Sequence, residues 1–255
     1  MRTATDGLVL REQAVGENDR LITILTRTDG LVRAFARGAR NLKSRSASAT
    51  QMLSYSDFVI FRGRESNVID SAESKKVFFG LRSDLTKLTL AQYFAELAMA
   101  VAPEGDDASS YLRLLLNAMH FLENGKRPPR ILKAAVEMRL MAFSGYMPDL
   151  VGCSVCGQYE SETMFFRLRE GGIICSRCYR ADGMPSVALE PGVLAALRHT
   201  IYAPFEKVFS FELSPNGEKQ LETASELYVR AQLERDFKTL DFYRRISAEE
   251  MQQKE

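Results

Sequence analysis

Cys153 and Cys156, then Cys175 and Cys178, form two Cys-x2-Cys pairs separated by 18 residues, and they are all the cysteines in the chain. Each pair makes a tight knuckle that can turn two thiolates toward one ion. The intervening segment contains the strand-like run TMFFRL and a turn at Gly171-Gly172, so it can fold back as a hairpin. Four sulfurs then close a tetrahedron around one Zn²⁺. A thioredoxin-type redox pair would account for one Cys-x2-Cys and leave the other without a role. Four thiolates leave no open coordination position, so the predicted zinc is structural and ties the hairpin to the elements around it.

The chain has 255 residues, enough for two or three modules. Residues 5–80 read as strands. DGLVLRE is a short β-rich run. DRLITILTRTDGLVRAFAR reads as two strands joined by Thr28-Asp29-Gly30, an Asp-Gly turn signal. Two more strands flank Arg62-Gly63-Arg64-Glu65, with one long loop before them. Five short antiparallel strands fit a small Greek-key barrel of the OB-fold type, with an SH3-like barrel as the other small-barrel solution. From residue 81 the apolar period becomes helical. Three helices are predicted before residue 147, the second stopping at Gly125 and the third starting after paired prolines. Helical pattern resumes at EPGVLAALRHTIY and at about 214–236; the last residues, EEMQQKE, are expected to fray. The predicted fold class is α+β multidomain: a five-stranded OB-fold barrel at 1–80, a helical domain at 81–150, the four-cysteine zinc module at 151–182, and a second helical part at 183–255.

Charge is unevenly spread. Residues 1–80 carry 13 Lys and Arg against 9 Asp and Glu, and the remainder 21 against 24, in a chain of formal charge +1. The excess gathers in AFARGARNLKSRSASAT, residues 34–50, where Arg37, Arg40, Lys43 and Arg45 follow Arg33 without one acidic residue. Gly38 and the Ser, Ala and Thr residues break any regular pattern, so a flexible loop is expected, its small side chains allowing close approach of a ligand. In LVRAFAR, alternation puts Val32, Ala34 and Ala36 on one face, suited to a barrel interior. Arg33, Phe35 and Arg37 fall on the other. An aromatic between two arginines suits a single nucleic-acid strand, with bases stacking and phosphates pairing. Such a clamp is the functional reading; packing of Phe35 and a merely soluble loop is the alternative.

No N-terminal secretory pattern is visible and no apolar run approaches ~18 residues, so a cytoplasmic protein without membrane attachment is expected. GxGxxG, GxxxxGK[ST] and GxSxG are absent. His120 and His199 lack metal-ligand spacing, and Asp106-Asp107 reads as a helix start. No catalytic constellation emerges, and no enzyme is expected.

Three blocks, GLVLRE...ENDRLITILTRTDGLVRAFARGAR, GYMPDLVGCSVCG and GIICSRCY, lie in an order that resembles the bacterial recombination mediator family RecO over nearly the whole chain. The resemblance implies an OB-fold, a helical domain and a zinc module. It implies binding to single- and double-stranded DNA, annealing of complementary strands, and assistance to RecA loading. RecR and the acidic C-terminal tail of single-stranded-DNA-binding protein are the implied partners. A tail ending in Phe needs an apolar pocket rimmed by positive charge. The helix near 130–146 offers Arg130, Lys133 and Arg139 beside Ile131, Leu132, Val136 and Leu140, of which at most two cations can share one narrow face; an ordinary amphipathic helix is the plainer reading. Two other functions fit the residues: a zinc-ribbon scaffold for protein interaction, and an RNA-binding OB module, since nothing in the side chains separates DNA from RNA.

Overall fold

The computed structural model describes residues 1–41, 43–44 and 46–252. It divides into two compact units, Met1–Gly125 with Phe237–Glu255, and Lys126–Asp236.

The first unit begins with β1 (Arg2–Val15), β2 (Asp19–Thr26), β3 (Gly30–Ala36), β4 (Ser54–Arg62) and β5 (Asn67–Val77). They close into a barrel in the order β1-β2-β3-β5-β4, with β4 returning to β1, the topology expected of an OB-fold. β1 is longer than its sequence run suggests. Its first half pairs with β4 and its second half with β2, and a register shift between Val9 and Arg11 lets it turn the corner. At the crossing sits Gly7, where a Cβ would meet Ile24 Cγ2 at 2.6 Å. β3 meets β5 in parallel through only Ala34↔Asn67 and Phe35↔Val68.

Val32, Ala34 and Ala36 point inward with Ile22, Ile24, Phe58 and Ile60, as alternation predicts. The loop departs from expectation. Ala39 and Ala49 belong to this same core. Thr50, Ser54 and Ser56 are buried beside them, the two serine hydroxyls donating to Ser48 O and Ala49 O at 2.9 Å. Arg20 donates to Ala47 O (2.7 Å) and Thr50 Oγ1 (3.0 Å). The small residues therefore plug an end of the barrel rather than admit a ligand.

The Asp-Gly turn forms as predicted. Thr26 Oγ1 donates to Gly30 O and accepts from Asp29 N–H. Leu31 N–H donates to Pro103 O at 2.8 Å, so the turn docks on the connection that follows the barrel's first long helix. Gly30 has φ +62°, and a Cβ there would lie 2.0 Å from Pro103 O. Gly30→Ala should lose more than the ~1–3 kcal/mol that left-handed backbone alone costs a non-glycine residue. Urea unfolding checks this; an unchanged midpoint would mean that the turn is not held against Pro103.

After the short α1 (Phe79–Arg82) come α2 (Leu85–Val101) and α3 (Ser109–Asn124). Asp84 caps α2 by accepting from Lys87 N–H, and Gly125, at φ 62°, ends α3. Asp107 Oδ2 accepts from Ser109 N–H at the start of α3. One helix was not anticipated: α7 (Lys238–Gln252) packs on α2. The Phe237 ring meets Tyr93 edge-on at 5.7 Å, and Thr239 donates through N–H and hydroxyl to Glu96 Oε2.

The second unit holds α4 (Pro129–Phe143), a sheet of β6 (Asp149–Cys153), β7 (Met164–Arg167), β8 (Gly172–Cys175) and β9 (Ser186–Leu189), then α5 (Pro191–Tyr202) and α6 (Pro215–Leu233). The sheet order is β6-β8-β7-β9. α4 is buried without a break from Ile131 to Met141, because α5 and α6 both pack on it. No helix among the described residues is long and apolar enough to cross a membrane.

Candidate metal centre and nucleic-acid interface

Cys153 ends β6 and Cys175 ends β8, strands that lie side by side. In the first knuckle Gly157 N–H donates to Cys153 O at 2.8 Å, with Gly157 at φ 74°. In the second, Cys178 and Tyr179 N–H both donate to Cys175 O. These turns bring the four sulfurs within 4.8 Å of one another, with Cys156 Sγ and Cys175 Sγ 3.8 Å apart. Zn–S bonds of ~2.3 Å in a tetrahedron require edges of about 3.8 Å, so the donor set fits one zinc-sized ion.

Without a cation four thiolates this close cannot all ionise. Burial raises the Cys153 thiol, but N–H donation from Cys175, Cys156 and Val155 outweighs it and brings the group down to about 6. The sulfurs of Cys156 and Cys175 hold the Cys178 proton and push it up to about 12. Helices fasten the module. Arg198 of α5 donates to Leu150 O, Val151 O and Tyr159 O and lies over the Tyr159 ring at 3.9 Å. Gln232 of α6 donates to Leu168 O and Arg169 O. Phe165 stacks on Tyr179 at 3.7 Å across the hairpin.

On the barrel, exposed Arg33 and half-buried Phe35 lie on the outer face of β3, and exposed Arg37 sits in the turn just after it. Arg40 is exposed and tied to the β1–β2 turn, its N–H donating to Asn18 O and its guanidinium to Gly16 O. Lys43 is exposed. Arg45 lies outside the described residues. The register adds residues that the sequence reading missed. Across the strands from Phe35 lie Leu21 on β2 and Val68 on β5, and beyond Val68 lies Phe61 on β4. A second outward row runs Arg11–Thr23–Arg33. Alternation along β4 could have turned Phe61 outward, but only closure of the barrel places it in line with Phe35.

The expected tail-binding rim is corrected. Lys133 is fully buried, its Nζ 2.8 Å from Glu137 and 3.1 Å from Glu226. Arg139 is also buried, and its guanidinium donates to Ile201 O and Ala203 O. Arg130 faces Glu222 at 3.1 Å. α4 is an interior helix, so Lys133 and Arg139 satisfy neighbouring elements and offer no rim to a peptide.

Two family models match the chain, and they meet between the barrel and its first long helix, inside the first compact unit. The family model described as Recombination protein O N terminal matches residues 1–78, and that described as Recombination protein O C terminal matches residues 82–241. The protein called DNA repair protein RecO from Acetivibrio thermocellus is 33% identical over 242 residues, 95% of this chain and 96% of its own. Its counterpart from Alkaliphilus metalliredigens is 31% identical over 247 residues, 96% of this chain and 100% of its own. A five-stranded barrel followed by helices around a four-cysteine cluster, matched at this coverage, belongs to the recombination protein O family.

Proposed function

We propose that this chain is a DNA-binding recombination mediator in DNA repair that works without catalysing a reaction. It binds single- and double-stranded DNA through the outer face of β2 and β3 with Arg37, Arg40 and Lys43 at its end, and anneals complementary strands. With RecR it assists RecA loading on strands coated by single-stranded-DNA-binding protein, whose acidic tail it contacts. It acts in the cytoplasm at the nucleoid. The family match supports a role in DNA repair and recombination. The observation that carries DNA binding is the outward pair Arg33 and Phe35, continued by exposed Arg37 just past the strand, on a barrel face of the type that takes oligonucleotides. Cations there offset phosphate repulsion, which otherwise opposes bringing two complementary strands together. One zinc held by Cys153, Cys156, Cys175 and Cys178 supplies a closed structural cross-link in the second unit.

The test is binding to single-stranded DNA, duplex DNA and RNA oligomers at two or more salt concentrations, with Arg37→Ala, Arg40→Ala and Lys43→Ala combined. Each single-strand phosphate contact releases roughly 0.7 counterions, so removing three should flatten the log–log salt slope by about two units. An unchanged slope in a folded variant would move the DNA site elsewhere. A consistent preference for RNA would replace DNA as the ligand.

A further inference from the structure

The barrel carries an aromatic that neither the core nor the basic loop uses. Phe61 is 46% exposed near the end of β4. Val68 of β5 stands directly opposite both Phe61 and Phe35, and Phe35 stands opposite Leu21. The four side chains therefore form one outward row across four strands. We propose that this row is a base-stacking platform with two posts, Phe35 and Phe61, that grips unpaired bases and makes the site favour single strands over duplex. The inference rests on the reading that this face meets nucleic acid.

Neighbouring strands lie ~4.8 Å apart, so the two aromatic positions, separated by one intervening strand, are about 9.6 Å apart. Stacked bases rise only ~3.4 Å per nucleotide. Two bases seated on these posts are thus splayed apart, with Leu21 and Val68 giving apolar floor beside them. A duplex keeps its bases stacked and cannot present their faces to such a platform. The row Arg11–Thr23–Arg33 runs alongside, two residues away on the shared strands β2 and β3, which is roughly 6.7 Å. It places cations where the backbone of a strand lying across the sheet would pass. Cations serve single strands and duplexes alike, whereas the platform serves single strands only. Loose bases held by their faces also keep their pairing edges free for a complementary strand.

Phe61 could instead only prop the β4–β5 turn, since a Cβ at Gly63 would lie 3.9 Å from its ring. Leucine would keep such a prop but cannot stack on a base. The experiment therefore measures affinity of Phe61→Leu, Phe61→Ala and Phe61→Tyr for a single-stranded oligomer and for its duplex, beside the charge-depleted variant described above. Loss of one stacked base corresponds to about a five- to 150-fold weaker affinity. Phe61→Leu and Phe61→Ala should show that loss for single strands, with duplex affinity and melting temperature unchanged, and Phe61→Tyr should bind as the parent does. Wild-type single-strand affinity in Phe61→Leu overturns the platform, as does equal loss for duplex. If charge depletion changes the salt slope while Phe61→Leu binds normally, the platform alone fails. If the parent binds no single strand, or charge depletion leaves the slope unchanged, the reading of the face fails and takes the platform with it.

Discussion

Lys133→Met is expected to destabilise the Lys126–Asp236 unit by about 3–5 kcal/mol, the cost of breaking a buried ion pair by removing one partner. The methionine fills nearly the same volume, so the loss is electrostatic. Glu137 and Glu226 would remain close together in the space where the ammonium now lies 2.8 and 3.1 Å from them. Ser225 already donates to Glu137 at 2.6 Å, and its single hydroxyl cannot replace a cation shared by two carboxylates. The same physics predicts recovery. Lys133→Met combined with Glu137→Leu and Glu226→Leu exchanges the whole cluster for apolar volume, which is often neutral or stabilising. Chemical denaturation of the single and triple variants, followed by amide exchange within residues 126–236, measures both. A single variant as stable as the parent would mean that α4 and α6 do not depend on the ammonium.

The second large effect concerns the sulfurs. Cys175→Ser should drop bound zinc from about one per chain to near zero by elemental analysis. In small zinc peptides the metal contributes ~10–16 kcal/mol of apparent free energy. Here the loss is smaller, because Arg198, Gln232 and the Phe165–Tyr179 stack hold the module independently of the metal. The hairpin of β7 and β8 should exchange its amides faster while the barrel amides stay protected. Retained zinc in the variant, or a Cys153–Cys156 disulfide in reducing buffer, would refute the assignment.

What could be read in advance followed the range of the interactions. The metal cluster was legible because two knuckles and one hairpin build it, all within 26 residues. The strands were legible because alternation and the Asp-Gly turn are local signals. Closure of the barrel was not. β3 and β5 meet in parallel with no turn between them, so nothing nearby in the chain records the pairing, and the Leu21–Phe35–Val68–Phe61 row stayed invisible. The loop misled for a related reason. Ala39 sits in a basic run and Ala49 among serines, both of which look like linker, yet they fill the barrel because a small barrel end has room only for small side chains. Lys133 and Arg139 misled in the opposite direction. Their charge suggests water, but Glu226 and the carbonyls of Ile201 and Ala203 arrive from elements 62 to 93 residues later. α7 was overlooked because apolar residues are sparse there: Phe237 just before it and Leu240 and Tyr243 within it are buried among mostly charged neighbours.

The pairing of α2 with α7 has a consequence for how the chain is made. Residues 126–236 are inserted between the two parts of the unit that α7 completes. At ~5–20 residues per second, a ribosome spends on the order of 5–20 s making that insertion. Throughout this interval the face of α2 that will receive Phe237 is without its cover. The inserted unit, by contrast, emerges as one continuous stretch and can finish folding first. Vectorial synthesis thus completes the residues of the inserted unit before those of the unit that surrounds it.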